Sequence, residues 1–469
     1  MAAAMRADSP TEATERSATS VAAPSAAAVL PRQIGLGTAT SVVVANMIGT
    51  GIFTTTGLLL PHVEAGWMVL LAWVLGGLIA LAGALCYAEL ATMMPQAGAE
   101  YVYLREIYSP LAGFLTGWTS FFVGFSAPIA ATAVAISFYL AAAGVLPARW
   151  WVEKAVAVAI VLVFTGVHYF GLRLGARVQN ALTGLKLLLL AGLVLAGFAS
   201  GRGNWEHFAA GSGFWAEGNW SGFGVTMLLV MFAYSGWNAA AYLAEEVREP
   251  ARTLPRALTL GTLAVMGIYL LVNLLFFYAA PGASFAGVPA VGEVAARHLF
   301  GVEAGRGFAL LVALALLSSL SAYTLLGPRV YFAMARDGLF FRFAARLHPK
   351  FQTPSASILA QGAVTAVMVL SGTFEDLLTY IGFALGIFPW MAVAGVLWLR
   401  AAHPARPRPF RAPAGPLLPL FYLGAMAWIL VVAFAGRPGP SLAAIATVLA
   451  GIPVYWLTAK HRGERTSAS

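Results

Sequence analysis

Long apolar stretches separated by short polar segments repeat along the chain from residue 34 onwards. Each stretch runs for about 18 to 30 residues, which is enough for a helix to cross a hydrocarbon core about 30 Å thick. Because a membrane span must satisfy its own peptide groups, such stretches predict helices. Twelve spans are predicted, at residues 34–60, 67–93, 111–143, 152–170, 177–199, 222–245, 256–280, 306–335, 354–371, 375–399, 417–436 and 440–459. The pattern therefore predicts an all-α membrane protein with twelve transmembrane helices.

Two of these stretches contain glycine where an unbroken helix is expected. The first interruption lies in Asn46–Phe53 and the second in Phe232–Asn238. An unwound turn exposes peptide groups to lipid at high cost, so it is tolerated only where it lines a protected cavity or meets a ligand. A matched pair of such breaks indicates the substrate site of a transporter. We therefore predict discontinuous helices 1 and 6, with the binding site between them.

The second break repeats the first after five spans. A unit with an odd number of spans inserts its copy upside down, which gives two inverted five-helix repeats related by a twofold axis in the membrane plane. The chain is divided accordingly into repeats, peripheral helices and tails. The predicted parts are a disordered cytoplasmic tail at 1–33, the repeats at 34–199 and 222–399, peripheral helices 11 and 12 at 417–459 and a cytoplasmic tail at 460–469.

Composition agrees with a multi-pass membrane protein. Hydrophobic residues make up 60% of the 469 residues and charged residues only 10%, which is far from a soluble domain. The net charge of +9 comes from basic residues dispersed among short loops, which argues against a nucleic-acid partner. Most of the 28 Lys and Arg residues lie in loops on the side of the termini. The positive-inside rule then predicts a protein of the cytoplasmic membrane with both termini in the cytoplasm.

An integral-membrane enzyme and a channel are the alternatives from other functional classes, and the sequence supports neither of them well. Its single cysteine, Cys86, lies within an apolar span, and its seven histidines are scattered with no pair at helical spacing. A membrane enzyme needs clustered His, Asp or Glu, and a channel filter needs rings of repeated polar groups. We expect no metal, no cofactor and no internal disulfide.

The two breaks offer opposite partial charges. At the first, the half-helix that begins near Thr50 points free N–H groups to the membrane centre, where they suit a carboxylate. Gly49 and Gly51 permit close approach, and the Thr50 hydroxyl adds a donor. At the second break a half-helix ends, and its carbonyls suit an ammonium group. These carbonyls belong to Phe232, Ala233 and Ser235.

A donor end that faces an acceptor end fits a zwitterion such as the head of an amino acid. The alternative is that the glycines only allow tight helix packing. The two-residue spacing Gly49-x-Gly51 differs from the four-residue repeat of a packing face, and the breaks coincide in the two halves. Both observations favour a binding site.

Three segments resemble amino acid permeases of the amino acid, polyamine and organocation superfamily, namely residues 49–53, 232–250 and 329–339. The likeness covers nearly the whole chain after residue 33 and is greatest to the L-type amino acid transporter branch and its bacterial relatives. It implies the leucine-transporter fold, with alternating access around an amino acid between spans 1 and 6. Eukaryotic members join a heavy chain through a cysteine between spans 3 and 4. Residues 144–151 contain none, so no disulfide-linked heavy chain is expected.

The resemblance also implies roles for individual residues. Thr50 and Gly51 would hold the carboxylate, and Phe232 would be the aromatic gate. Trp237 is a second gate candidate, with helix packing as the alternative. The amine would lie among carbonyls that include that of Met47. The full substrate-binding set is predicted as Met47, Ile48, Gly49, Thr50, Gly51, Ser126, Phe232, Ala233, Ser235 and Phe383, where Ser126 and Phe383 are candidates for the side-chain pocket.

Lys186 is a charged residue within span 5. A charged side chain at mid-helix costs about 2.5 to 3.5 kcal/mol on insertion scales, so it is usually buried against partners. The resemblance places it where sodium sits in sodium-coupled relatives, bridging span 1 to the hydroxyls of span 8. These hydroxyls belong to Ser318, Ser319 and Ser321. A proton that leaves Lys186 would supply coupling, whereas the alternative is a structural lysine that snorkels to the interface.

The pocket-facing candidates are small and uncharged, which favours neutral amino acids over cationic ones; they are Ser126, Ser235, Ala239 and Ala240. An organic amine or polyamine is the competing substrate class, because it would not need the carboxylate donors at Thr50 and Gly51. The sequence leaves exchange and proton symport open. The expected partners are an amino acid, protons in the symport case and the lipid bilayer.

Overall fold

The structure, a computed structural model, describes residues 32, 34–63, 65–96, 98–170, 172–209, 220–336, 339–346, 348 and 354–466. The predicted tail at 1–33 lies outside these residues except for Arg32, as do residues 467–469. Regular structure in the described part is helical, and β-contact is limited to an isolated parallel bridge between Ile34 and Val247. The predicted all-helical class is therefore confirmed for the part of the chain that the structure describes.

The described α-helices are between 8 and 35 residues long. They are α1 (Leu36–Met47), α2 (Gly51–Val63), α3 (Gly66–Met93), α4 (Glu100–Ile107), α5 (Pro110–Thr119), α6 (Ala127–Ala142), α7 (Trp150–Phe170), α8 (Leu172–Ala199), α9 (Trp220–Ala233), α10 (Pro250–Ala279), α11 (Val291–Phe300), α12 (Val302–Arg336), α13 (Ser355–Ser371), α14 (Phe374–Ala402), α15 (Leu417–Gly436) and α16 (Pro438–Thr466). Shorter 3₁₀ helices are Trp205–Ala209, Ala239–Glu246, Gly282–Ser284 and Arg342–Ala345, and a π-helix spans Ser120–Ser126.

Eight described helices are long and apolar enough to cross a membrane, and the bent pair of α1 and α2 makes a ninth. Three shorter apolar helices add to them, at Gly184–Ala199, Gly222–Ala233 and Ser355–Ser371. Their positions coincide with the predicted spans 5, 6 and 9. The chain is a multi-pass membrane protein, as its composition predicted.

The third predicted span is a compound of three pieces. The π-helix Ser120–Ser126 joins α5 to α6, and the hydroxyl of Ser126 donates to the carbonyl of Phe121 at 2.7 Å. A π-turn inserts one residue into the helix and so rotates the face that the following turns present. The inward face of α6 is therefore offset from the one that a regular helix would have.

The packing of the helices surrounds both breaks. The helix α1 packs on α10, α2 packs on α9, and α12 packs on both α6 and α8. In the middle of α2, the carbonyl of Gly57 accepts a hydrogen bond from the amide of Gly287 at 2.8 Å. Ahead of α1, the carbonyl of Ile34 accepts a hydrogen bond from the amide of Arg248 at 2.8 Å. Backbone contacts therefore lie on both sides of the first break.

Candidate functional site

The first break separates α1, which ends at Met47, from α2, which begins at Gly51, with a bend of 40°. The amide of Phe53 donates to the carbonyl of Thr50 at 3.0 Å. Among the described residues, no backbone acceptor is found for the three preceding amides, those of Thr50, Gly51 and Ile52. Unpaired amides at a helix start carry partial positive charge. The first break thus presents the donor end that the sequence predicted.

The second break follows α9, which ends at Ala233. A turn leads into the 3₁₀ helix Ala239–Glu246, so the second half of this span is more tightly wound than an α-helix. Gly236 in the turn has a φ of +97°, and a Cβ at this position would lie 3.0 Å from the carbonyl carbon of Asn46. Only glycine fits both the backbone conformation and the approach. Gly236 therefore holds the second break against the first.

The two breaks touch at Gly51 and Ala233. A Cβ added to Gly51 would lie 2.5 Å from the Cβ of Ala233. Tyr269 of α10 joins the same two ends, since its hydroxyl oxygen lies 2.5 Å from the carbonyl oxygen of Met47 and 3.0 Å from that of Ala233. A hydroxyl donates one hydrogen, so the two carbonyls share it. Sequence reasoning missed Tyr269, because nothing in the local pattern of α10 marks it.

A small cavity lies between the breaks. Its volume is about 20 Å³, which is room for about one water molecule. It is lined by Asn46, Met47, Gly49, Thr50, Gly51, Pro128, Thr132, Phe232, Ala233, Ser235 and Tyr323. None of these side chains carries a formal charge at neutral pH. The helices are therefore closed around the breaks, and an amino acid needs them to part.

Seven of the ten residues predicted to bind substrate line this cavity, and three do not. Ile48 is fully buried but is not among the lining residues. The hydroxyl of Ser126 bonds within its own π-helix, and Phe383 packs its ring 6.3 Å from that of Phe434. Sequence reasoning missed four lining residues, Asn46, Pro128, Thr132 and Tyr323.

Trp237, the second gate candidate, lies beside the cavity lining without belonging to it. Its ring meets that of Tyr87 edge to face at 4.8 Å and approaches that of Tyr422 at 6.2 Å. Both partners belong to helices outside the break, α3 and α15. The geometry places Trp237 in helix packing in this closed conformation, and its role as a gate stays a prediction.

Lys186 lies inside the bundle, with a side chain that is only 2% exposed. Its Nζ donates to the carbonyl of Ile48 at 2.6 Å and to the hydroxyl of Ser319 at 3.3 Å. It thus connects the first break to α12, and this burial does not fit the snorkelling alternative. Ser318 instead donates to the carbonyl of Ala315, and Ser321 bonds with His168. The coupling role of these residues stays a prediction.

A multi-pass helical protein in which two broken helices face one another across an enclosed cavity belongs to the class of membrane transporters. A family profile described as "Amino acid permease" matches residues 34–457. The chain belongs to the amino acid permease family.

Named relatives agree with this assignment. The chain is 30% identical over 435 residues to the Asc-type amino acid transporter 1 of Mus musculus, covering 91% of this chain and 81% of that protein. It is 31% identical over 441 residues to the large neutral amino acids transporter small subunit 2 of Homo sapiens, covering 91% and 80%. It is 31% identical over 437 residues to the serine/threonine exchanger SteT of Bacillus subtilis (strain 168), covering 92% and 98%. These relatives are transporters rather than enzymes, and the predicted family is confirmed.

Proposed function

We propose that this chain moves small neutral amino acids across the cytoplasmic membrane by alternating access, as an exchanger. The observation that carries the proposal is the meeting of two opposed helix ends at the cavity. The unpaired amides of Thr50 and Gly51 offer donors for a carboxylate. The carbonyls of Met47 and Ala233 offer acceptors for an ammonium group.

The hydroxyl of Tyr269 occupies these carbonyls in the closed conformation. A substrate ammonium group brings three donors, so it fits the unused lone pairs of both carbonyls or replaces the hydroxyl at one of them. In both cases the ammonium group binds the carbonyls of Met47 and Ala233 at once, and so it holds the ends of α1 and α9 together around the substrate. Binding is then coupled to closure of the site.

The cavity lining supports a neutral and small side chain. Pro128 and Thr132 of α6 and Tyr323 of α12 lie opposite the breaks, and no acidic or basic group lines the cavity. A cationic amino acid or a polyamine needs an acidic partner when it leaves water. The name of the Bacillus subtilis relative refers to serine and threonine, and that of the human relative refers to large neutral amino acids, so both favour a neutral substrate.

We also propose the finer architecture that the sequence predicted. The leucine-transporter fold would have twelve spans, the inverted repeats at 34–199 and 222–399 and the peripheral helices at 417–459, with both termini in the cytoplasm. Nine candidate spans and three shorter apolar helices support the number. The two breaks, which meet at Gly51 and Ala233, support the inverted relation of the repeats.

No disulfide-linked heavy chain is proposed. The single cysteine, Cys86, lies fully buried in α3. A buried thiol of this kind has no access to a second polypeptide. The chain would therefore work without a covalent partner.

Reconstitution tests the proposal. Proteoliposomes loaded with unlabelled L-serine are expected to take up labelled serine, alanine and threonine by counterflow, and to leave arginine and putrescine outside. Uptake of arginine or putrescine at the same rate would overturn the neutral substrate class. Uptake that does not depend on internal amino acid would overturn exchange.

Proton symport is the second candidate, and the buried Lys186 favours it because its ammonium group bridges the first break to α12. The same proteoliposomes, loaded without amino acid, distinguish the two mechanisms. A symporter accumulates serine when the outside is made acidic, and a proton ionophore abolishes that accumulation. An exchanger without internal amino acid does not accumulate serine, whether or not the outside is acidic.

A further inference from the structure

Glu100 is a buried acid that the proposed transport cycle does not yet use. It begins α4, the short helix between the second and third predicted spans, and its residue is only 3% exposed. The preceding residue, Ala99, has a φ of +40°. Side chains rarely tolerate this conformation, so local strain accompanies the burial of the acid.

The carboxyl group of Glu100 faces the segment that follows the second break. Its Oε1 accepts hydrogen bonds from the hydroxyl of Tyr87 on α3, at 3.0 Å, and from the side-chain amide of Asn238. No well-aligned hydrogen bond reaches Oε2 from the described residues. Asn238 immediately precedes the 3₁₀ helix Ala239–Glu246, which we call the inner segment. Glu100 therefore joins α3 and α4 to the inner segment.

Among the described residues, the groups that interact with this carboxyl carry no positive charge. The ionisable side chains that feel its charge are tyrosines, namely Tyr87 on α3, Tyr103 on α4, Tyr242 on the inner segment and Tyr422 on α15. No ion pair involves Glu100 in the part of the chain that the structure describes. Arg400 of α14, which packs on α4, is held by Glu89 instead.

Glu89 of α3 is a second buried carboxylate, and its charge partners differ from those of Glu100. It is 1% exposed, and both of its oxygens are engaged, by Arg400 at 3.0 and 2.5 Å and by the amide of Ala412 at 2.8 Å. Arg408 lies 3.7 Å from it. Glu89 is thus a paired anion, whereas Glu100 is buried to a similar degree and has no cation among its described partners. An isolated charge in such a place is expensive, and the usual remedy is a proton.

We propose that Glu100 is a proton-binding site, which holds a proton on Oε2 while the inner segment is docked on α4 and releases it to cytoplasmic water when the segment moves away. The step breaks the O–H bond and leaves a hydrated carboxylate. It rests on the proposed alternating access and on the proposed cytoplasmic position of the termini.

The direction of the pH effect follows from the site. Burial raises the pKa of the Glu100 carboxyl group, although Tyr242, Tyr87 and Asn238 favour its charged form. Below the raised pKa the docked form is stabilised by its proton, and this stabilisation is lost as the pH rises through that pKa. An acidic cytoplasm therefore slows opening towards the cytoplasm, and an alkaline cytoplasm speeds it.

Inside-out membrane vesicles test the proposal, because their outer medium meets the cytoplasmic face. Serine counterflow is measured while the outer pH is varied between about 5.5 and 8.5 and the inner pH is fixed. The wild-type rate is expected to rise with pH, by up to about tenfold per pH unit. Glu100→Gln, which is neutral at every pH, is expected to lose this dependence. Glu106→Gln removes an exposed acid of the same helix and is expected to keep the wild-type profile.

A second variant covers the possibility that Glu100→Gln does not fold. Tyr87→Phe removes a donor that favours the carboxylate, so the pH profile is expected to move to higher pH. A wild-type slope in Glu100→Gln, or an unshifted profile in Tyr87→Phe, overturns the proton site while counterflow itself supports the proposed function. The absence of counterflow at every pH overturns the proposed function, and the proton site with it.

Discussion

Gly51 is the residue at which the broken helices come closest, so it offers the sharpest test of the site. A Cβ there would lie 2.5 Å from the Cβ of Ala233. In Gly51→Ala, overpacking of about 1 to 3 kcal/mol should hold the helix ends apart. We expect substrate affinity to fall by about tenfold to a hundredfold. The measurement is stabilisation of the purified protein by serine across a concentration series.

The matched control is Gly267→Ala in α10. A Cβ at Gly267 meets nothing within 4 Å, so this variant should bind serine as the wild type does. Equal affinity in Gly51→Ala and Gly267→Ala would contradict the placement of the substrate between the helix ends.

Lys186 gives a second test at the residue scale. Two neighbouring serines, Ser318 and Ser319, serve as a matched comparison, because only Ser319 contacts the lysine. Lys186→Met removes the donor to the carbonyl of Ile48, so we expect turnover to fall by at least about tenfold. Ser319→Ala removes a hydroxyl 3.3 Å from the ammonium group and should have a smaller effect in the same direction. Ser318→Ala should be close to wild type, because that hydroxyl bonds within α12. The measurement is the initial rate of counterflow. Equal rates in Lys186→Met, Ser319→Ala and Ser318→Ala would contradict a role of Lys186 in the transport cycle.

The sequence predicted the backbone of the site better than its side chains. Glycines within an apolar stretch report a broken helix directly, so Gly49 and Gly51 were found without knowledge of packing. Thr132 and Tyr323 enter the cavity from other helices, and only the rotation of those helices brings them there. Ser126 illustrates the limit, since the π-helix Ser120–Ser126 rotates α6 so that Pro128 and Thr132 line the cavity.

Among the helices, α10 has an unexpected part, because its Tyr269 hydroxyl holds the ends of α1 and α9 together. Tyr269→Phe deprives buried carbonyls of a donor, which costs about 1 to 3 kcal/mol. We expect a lower Tm and a reduced counterflow rate. Tyr234→Phe is the control, since it also loses one buried bond, to the carbonyl of Trp73 at 2.9 Å, which ties the second break to α3 and does not join the two breaks.

The two variants separate stability from transport. Both should lower Tm in detergent by a similar amount, whereas only Tyr269→Phe should slow counterflow. A normal rate in Tyr269→Phe would show that the hydroxyl stabilises the fold without taking part in the movement of the half-helices.

The sequence also predicted where the two helices are interrupted, but it did not predict the type of helix that follows the second interruption. Both interruptions were predicted at their observed positions, because glycine is a poor helix former and allows the chain to unwind within an apolar stretch. The sequence did not predict that the second half of the sixth span is a 3₁₀ helix. Ala239–Glu246 is rich in alanine, which favours an α-helix by propensity. The tighter winding therefore depends on tertiary contacts.

For the whole molecule, the proposed even number of spans makes a prediction about the termini. With twelve spans and a cytoplasmic amino terminus, the carboxyl terminus after α16 also lies in the cytoplasm. Green fluorescent protein fused there should fluoresce, and alkaline phosphatase fused there should be inactive. Fusions in the loop before α11, which is proposed to lie outside, should give the opposite pair of results. Active phosphatase at the carboxyl terminus would contradict the proposed topology.

The isolated bridge between Ile34 and Val247 has a practical consequence. Ile34, two residues ahead of α1, and Val247, directly after the inner segment, are joined there, so we expect these two ends of the broken helices to move together. An affinity tag on a short linker just ahead of residue 34 would load both of them together. Purification tags for kinetic work are therefore better placed after α16. If an amino-terminally tagged protein loses activity, restricted movement of the joined ends should be tested first, before the loss is attributed to the binding site.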